Sequence, residues 1–311
     1  MSELLGASFL SALISGGILA GMPLMFASLG ETVSERAGVL NIGLEGMMLA
    51  GAYLGFVVAL YSDQYWLGLV ASVGGGALLA VIVAWCCVRL GMDQIVVGIA
   101  VLILAEGITS VLQRAQFGTT YPRLEEMASF KIPILSFIPA LGSSVFTQPM
   151  VVFIGFLMIG VLHWALKSTN IGLNLRAAGE KPEAVDAAGI SVVAIRSMAV
   201  LVTGGLAGLG GGYMAIVGAG IFVPFMTNGI GFIGIVVAML ARGRAVWVVI
   251  GSFLYGMAVS LTTSLQLIGV EVAQDVVNMI PFVAVMIALV AFARGAYLPA
   301  ALAIPYKRES R

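Results

Sequence analysis

Charge is what this sequence has least of. Only 10% of its 311 residues are Asp, Glu, Lys or Arg, and 60% are hydrophobic, whereas soluble domains carry about 25% charged residues. Long uncharged windows, such as residues 4–30 and 197–241, separate the few charges. Because roughly 20 apolar residues cross the hydrocarbon core as a helix, the sequence predicts an integral membrane protein. The zero net charge gives no indication of nucleic-acid binding.

Catalytic and metal-binding motifs are also missing. The chain has one histidine and two adjacent cysteines, Cys86 and Cys87, within an apolar stretch. We interpret the cysteines as small packing residues, because no ligand-rich motif accompanies them. A G-x-x-x-x-G-K-[ST] phosphate loop is absent, so the chain is not expected to bind ATP by that route. H-E-x-x-H and the nucleophile elbow are absent too. We therefore expect neither enzyme activity nor a cofactor.

Hydropathy predicts an all-α integral membrane protein with one membrane domain over residues 1–311. The expected architecture is a polytopic bundle of about nine to ten transmembrane helices, some of them broken. The forty glycines fit this fold, because small residues let helices approach closely within a membrane. The predicted spans are residues 5–29, 39–60, 65–88, 94–113, 148–167, 196–219, 229–241, 245–268 and 276–294.

Basic residues predict the orientation of these spans, because Lys and Arg concentrate in cytoplasmic loops. With the N-terminus outside, every Lys and Arg except Arg114, Arg123 and Lys131 lies in an inner loop or in the inner tail. The two longest polar stretches are then an external loop over about residues 114–147 and an inner loop over about residues 168–195.

The first segment with unusual polar residues is 30–52. It contains Glu31, Glu35, Arg36, Asn41 and Glu45. We interpret the first three as solvated residues of an inner loop, with a pathway or gate element as the alternative. Asn41 and Glu45 precede an unbroken apolar run, and polar groups at membrane depth usually face a bundle interior or a water-filled path. We therefore expect these two inside the bundle, in a structural role or along a translocation pathway.

Two further features are candidates for the same pathway. Pro224 and a cluster of glycines interrupt the apolar run at residues 218–234, and broken helices often form binding sites in transporters; an ordinary loop between two spans is the alternative. Residues 41–46 and 228–234 resemble each other weakly, which would mark two related halves. Glu106 stands alone in the fourth span and either faces a polar cavity or has a packing role. The candidate pathway residues are Asn41, Glu45, Glu106 and Asn228.

The inner loop carries helix signals. Pro182 suits the first turn of a helix, Glu183 and Asp186 suit its positive end, and Gly189 suits its termination. The pattern predicts a short helix over 182–188, outside the bilayer. Its small Ala and Val side chains favour docking in a groove of a partner, with a plain connector as the alternative.

Two of these segments resemble a known family. The run Glu-Arg-Ala-Gly-Val-Leu-Asn-Ile-Gly-Leu-Glu-Gly-Met over residues 35–47 and the run Arg-Ala-Ala-Gly-Glu-Lys-Pro-Glu-Ala over residues 176–184 are similar to permeases of ATP-binding-cassette importers. That family transports branched-chain amino acids, ribose and nucleosides, and the likeness is greatest to its nucleoside and simple-sugar branch. The resemblance extends over nearly the whole chain.

The resemblance implies an import function for nucleosides or similar small polar solutes, by alternating access. It implies a cytoplasmic ATPase that binds the ATP, a second related permease, an extracytoplasmic solute-binding protein and a bacterial or archaeal cytoplasmic membrane. It also implies that the inner loop is the coupling helix docking on the ATPase, through Arg176, Gly179, Glu180, Pro182, Glu183, Ala184 and Gly189.

The alternative function is an ion-coupled secondary transporter of a small polar solute. Such a protein would use Glu45 or Glu106 as its proton or cation site. The sequence does not name the substrate: nucleosides, sugars and riboflavin-like solutes all remain open.

Overall fold

Residues 7–131, 142–267, 279, 282–283, 285–287, 290 and 298–306 are described by the computed structural model. The helices are α1 (Ala7–Arg36), α2 (Leu44–Ser62), α3 (Tyr65–Val83), α4 (Gln94–Phe117), α5 (Gly142–Val145), α6 (Met150–Ser168), α7 (Asn170–Glu180), α8 (Pro182–Ala187), α9 (Val192–Gly212), α10 (Ile230–Ala241) and α11 (Ala245–Leu267). Helix α3 continues as the π-helical turn Ala84–Arg89 and α9 as Tyr213–Gly218. Two short strands, β1 (Ser129–Lys131) and β2 (Thr147–Pro149), pair antiparallel between α4 and α6.

The described helices are those of a polytopic membrane protein. Within the described ranges, six helices are long and apolar enough to cross a bilayer: Phe9–Arg36, Leu44–Ser62, Tyr65–Arg89, Gln94–Phe117, Met150–Ser168 and Val192–Gly218. Two shorter apolar helices follow, Ile230–Ala241 and Ala245–Leu261. The predicted ninth span, 276–294, lies largely outside the described residues. The all-helical membrane fold is therefore confirmed, and the count of about nine to ten stays a prediction.

Backbone contact between helices explains why the sequence is rich in glycine. A Cβ on Gly76 of α3 would lie 2.8 Å from Gly208 Cα of α9, and one on Gly30 of α1 would lie 2.9 Å from Thr203 O of α9. Thr203 Oγ1 also donates a hydrogen bond to the Gly30 carbonyl at 2.6 Å. Lipid gives no hydrophobic drive for helix association, so close packing and such bonds hold the bundle together.

The first helix is longer than predicted. α1 runs to Arg36, and Glu31 and Glu35 are only 0% and 4% exposed. The interpretation of these two as solvated loop residues was wrong. The turn to α2 takes only residues 37–43. It folds back on α1, so that its Asn41 N–H donates a hydrogen bond to the Glu31 carboxylate.

The inner loop holds two helices, where one was predicted. α8 (Pro182–Ala187) confirms the expected short helix, with Pro182 in its first turn. The other helix, α7, begins after Thr169, whose hydroxyl accepts a bond from the Gly172 N–H at 3.2 Å. Its buried residues Gly172, Leu175 and Ala178 recur at helical spacing. The sequence therefore contained two signals for α7, the capping threonine and the helical spacing of its apolar residues.

Candidate functional site

Glu45 joins the starts of two helices that are distant in sequence. It lies in the first turn of α2 and is 4% exposed. Its Oε1 accepts a hydrogen bond from the Gly229 N–H at 2.8 Å, and its Oε2 accepts one from the Gly231 N–H at 2.5 Å. The first N–H groups of a helix have no partner inside that helix. Glu45 therefore caps α10 from another helix, and the positive ends of α2 and α10 both favour its negative charge.

The turn before α2 lies inside the bundle. Asn41 is 0% exposed; its backbone N–H donates to Glu31 Oε1 at 3.0 Å, and its Nδ2 donates to Met47 Sδ at 3.2 Å. Several buried oxygens nearby have no hydrogen-bond partner among the described residues: Asn41 Oδ1, Glu31 Oε2, Glu35 Oε1, Ser28 Oγ and Ser34 Oγ. Buried polar atoms of this kind require a functional explanation or bound water.

The segment before α10 is irregular. Between the end of the π-helical turn at Gly218 and the start of α10 at Ile230, positive φ angles occur at Phe225 (63°), Asn228 (42°) and Gly229 (86°), among others. A bulky residue at positive φ is strained and needs surrounding structure to hold it. Phe222 provides an anchor, 2% exposed and edge-to-face with Tyr53 at 5.2 Å. The segment around Pro224 is thus not helical, which agrees with both alternatives drawn from the sequence, a broken helix and a loop between two spans.

Three of the four predicted pathway residues belong to this junction. Asn41 and Glu45 lie on its α1–α2 side, and the exposed Asn228 directly precedes the glycine that Glu45 binds. The two segments with similar sequences therefore meet at one carboxylate. We name this set, residues 41–46 and 228–231, the α2–α10 junction.

Glu106 lies elsewhere. It sits near the middle of α4 and is partly exposed, next to the exposed Ile103 and Gly107. A Cβ on Gly107 would meet nothing within 4 Å. Within the described part of the chain, no hydrogen bond links the Glu106 carboxylate to the α2–α10 junction. This face of α4 is open on the single chain.

The predicted coupling residues divide into three groups by burial. Gly179 and Pro182 are buried, Arg176 and Glu180 are half-buried, and Glu183, Ala184 and Gly189 are exposed. A Cβ on Gly179 would collide with the carbonyl of Arg36, so this glycine allows α7 to contact the end of α1. Gly189 has φ +79°, which explains why α8 ends there.

Sequence reasoning missed two residues. Glu31 was interpreted as solvated, and Arg196 was counted only as one more inner-loop charge, yet Arg196 is 3% exposed. No local pattern marks either residue, because their partners come from distant parts of the chain. No cluster of three or more His, Cys, Asp or Glu side chains that could hold a metal occurs among the residues that the structure describes.

Comparison with known proteins identifies the family. Residues 13–290 match the family described as the permease component of branched-chain amino acid transport systems. The chain belongs to this family. It is the multi-pass permease subunit of an ATP-binding-cassette importer in a bacterial or archaeal cell membrane, and it is not an enzyme. Such permeases work with an ATPase and a substrate-binding partner. The ion-coupled alternative is not favoured.

Individual relatives span most or all of the chain. The guanosine ABC transporter permease protein NupQ of Bacillus subtilis is 33% identical, over 97% of this chain and 98% of its own length. The nucleoside ABC transporter permease protein NupC of Lactococcus lactis is 31% identical, over 96% and 97%. The putative glucose ABC transporter permease protein TsgC13 of Haloferax volcanii is 34% identical, over 80% and 76%.

Each of these three organisms also has a second matching permease. These second permeases are 25% to 30% identical to this chain and match 75% to 77% of it. No solved structure matches the chain.

Proposed function

We propose that this permease translocates nucleosides by alternating access driven by a separate ATPase. The observation that carries the proposal is end-to-end similarity to two permeases named for guanosine and for nucleosides, at 96% to 97% of this chain. The permease named for glucose has a similar sequence identity to this chain, 34%, but its alignment covers only 80% of the chain. Sugars are therefore the second candidate class.

Uptake by the complete transporter tests this substrate class. Cells lacking other nucleoside importers would express the chain together with its ATPase, the second permease and the solute-binding protein. Uptake of labelled guanosine, uridine and glucose by these cells would be compared. A matched strain without the ATPase is the control. We expect ATPase-dependent uptake of a nucleoside. Uptake of glucose alone would move the chain to the sugar class.

We further propose a heterodimer with a second, related permease. Its support is the recurrence of two differing permeases in each of three organisms, one of which resembles this chain more than the other. Purification of this chain with one tag and of the second permease with another would test the pairing. Recovery of this chain only with copies of itself would contradict it.

The α2–α10 junction is our candidate for a moving part of the pathway. α10 has only 12 residues, its start is attached to α2 through one carboxylate, and a strained segment precedes it. The body of α10 packs into the core through Ile233, Val237 and Ala241, whereas its start is hydrogen-bonded to α2 through a single side chain. Release of that side chain would let the first turn take a second position, and alternating access requires an element that does. We assign Asn41, Glu45 and Asn228 to this moving part.

Glu106 is our candidate for the wall of the pathway. A partly exposed carboxylate at mid-membrane is too costly to face lipid, so it faces water or protein. With Cys86 and Cys87 replaced by serine, Gly107→Cys on the same face should react with a membrane-impermeant maleimide in the assembled transporter. Leu157→Cys, 68% exposed on α6, is the control that should stay unreactive. Equal lack of reaction at both positions would contradict the pathway role.

The exposed face of α8 is our candidate for the ATPase contact. It carries Glu183 and Ala184, while the buried Gly179 and Pro182 hold the loop in place. Glu183→Lys or Ala184→Trp should lower the amount of ATPase that co-purifies. Glu126→Lys, an equal charge reversal on the external loop, is the matched control. Unchanged recovery of the ATPase in both α8 variants would contradict the assignment.

A further inference from the structure

Arg196 connects three separate parts of the chain at the predicted cytoplasmic end. It lies in the second turn of α9 and is buried. Its guanidinium donates to four carbonyls: Ala37 at 3.1 Å, Ala178 at 3.2 Å, Ile304 at 2.8 Å and Ala301 at 3.4 Å. A guanidinium has five N–H donors in a rigid fork. It is suited to hold several carbonyls in one arrangement, here from the α1–α2 turn, from α7 and from residues 298–306.

Residues 298–306, which we call the strap, also bind both neighbours through their own backbone. The Ala301 N–H donates to the Gly179 carbonyl at the end of α7 at 2.9 Å. The Ala303 N–H donates to the Gly38 carbonyl in the α1–α2 turn at 3.1 Å. The strap therefore bridges α7, which together with α8 we call the coupling helices, and the turn that leads to Asn41.

Side-chain packing extends the same bridge. Tyr306 of the strap packs with Val185 of α8 and Val192 of α9 in one apolar cluster. Because α8 has only six residues, its position depends on what packs behind it. Tyr306 therefore packs on the buried side of α8, while Glu183 and Ala184 are exposed.

A continuous set of contacts follows from these bonds. Arg196 and the strap bond Ala37 and Gly38 in the α1–α2 turn. Three residues further along that turn, the Asn41 carbonyl accepts a hydrogen bond from the Leu44 N–H at the start of α2, next to Glu45, which holds α10. Movement of α7 and α8 by a partner would carry the strap with it.

We propose that the strap, held by Arg196, transmits movement of the coupling helices to the α2–α10 junction, and that Arg196 is a positioning residue for this transmission. The inference rests on the proposed ATP-driven alternating access. It gives residues 298–306 a role that neither their sequence nor the family match assigns.

Ala303 offers a matched pair of variants. Its φ is +60°, which glycine adopts without strain and proline cannot adopt. Ala303→Pro removes the N–H donor to Gly38 and breaks the strap, whereas Ala303→Gly keeps the donor and suits the angle. Both would be combined with Val223→Cys, a 37% exposed reporter in the irregular segment that leads into the α2–α10 junction, in a chain with Cys86 and Cys87 replaced by serine.

The measurement is the thiol-labelling rate of the reporter in the assembled transporter, with and without a non-hydrolysable ATP analogue; it needs no known substrate. We expect the analogue to change the rate in the parent chain and in Ala303→Gly, and the change to be lost in Ala303→Pro with the ATPase still bound. Arg196→Lys should also lose the change in labelling rate, because an ammonium group cannot reproduce the forked N–H donors of the guanidinium. This variant is used for the test if Ala303→Pro does not assemble.

Three outcomes would overturn the inference. An unchanged response in an assembled Ala303→Pro or Arg196→Lys transporter would show that the strap transmits nothing, while leaving alternating access intact. Loss of ATPase binding in both variants would make the strap a support for docking only. A parent chain with no response to the analogue would remove the proposed movement at the junction, and the strap's role with it.

Discussion

Replacement of Glu45 by glutamine is the sharpest test of the α2–α10 junction. The carboxylate accepts the N–H groups of Gly229 and Gly231 on its two oxygens. Glutamine is nearly the same size but has only one oxygen, so one of these buried N–H groups loses its acceptor. Such a loss destabilises by about 1–3 kcal/mol. The first turn of α10 would then open about 5- to 150-fold more often.

Amide hydrogen exchange reads this local opening directly. In the assembled transporter, we expect Glu45→Gln to accelerate exchange at residues 229–231 by a factor in that range, with little change in α9. Transport should fall as well, because the start of α10 is no longer held in one position. Glu45→Ala, which removes both acceptors, should increase the exchange rate further.

Glu106→Gln is the matched control. It makes the same change in another membrane-spanning helix, where the carboxylate caps no helix, so exchange at residues 229–231 should stay at the parent rate. If Glu45→Gln also left that rate unchanged, Glu45 would not hold the start of α10. The assignment of the junction as a moving part would then fail.

The remaining predictions concern the stability of the bundle and are measured by thermal unfolding of the purified transporter. Gly211→Ala should destabilise the bundle strongly, because the added Cβ would collide with a carbonyl of α2. Gly74→Ala, whose Cβ would meet nothing within 4 Å, should be neutral or stabilising by up to about 1 kcal/mol. Equal effects of the two substitutions would contradict backbone contact at Gly211. Asp93→Ala should destabilise by about 1 kcal/mol, since Asp93 caps α4 with two hydrogen bonds, and an unchanged Tm would refute the cap. Thr203→Val should destabilise the bundle by about 0.6 kcal/mol, because the Thr203 hydroxyl loses its hydrogen bond to α1. Thr109→Val should destabilise less, since the Thr109 hydroxyl bonds within its own helix. The reverse order would be evidence against the interhelical bond.

Exposed residues at the end of α8 and on its surface differ in whether a bulky side chain there would disturb the helix. Gly189 is a poor site for a test of docking, because a tryptophan there would strain the φ of +79° and disturb the end of α8. Ala184 is exposed on the helix itself, so bulk added there probes a contact without a backbone penalty. A defect in Ala184→Trp is therefore attributable to the partner surface.

The sequence by itself determined the apolar membrane-spanning runs and the two ends of α8, but not the full length of α1 or the presence of α7. Apolar run length predicts spans because backbone groups in lipid must find partners within their own helix, and this rule needs no knowledge of neighbours. Pro182 and Gly189 defined α8 for similarly local reasons, namely a fixed φ at the start and a positive φ at the end. The interruption of the apolar run around Pro224 was predicted in the same way, as a broken helix or as a loop between two spans.

Only the tertiary structure decided which polar residues act together. Glu31, Glu45 and Glu106 look alike in the sequence, as carboxylates next to apolar runs. They differ because Glu45 meets the N–H groups of a helix 184 residues away, Glu31 meets a turn that folds back on α1, and Glu106 lies on an open face. Arg196 became distinctive only when three distant segments brought their carbonyls to it. Hydrogen bonds between remote segments follow from how helices pack, and helix periodicity does not encode them.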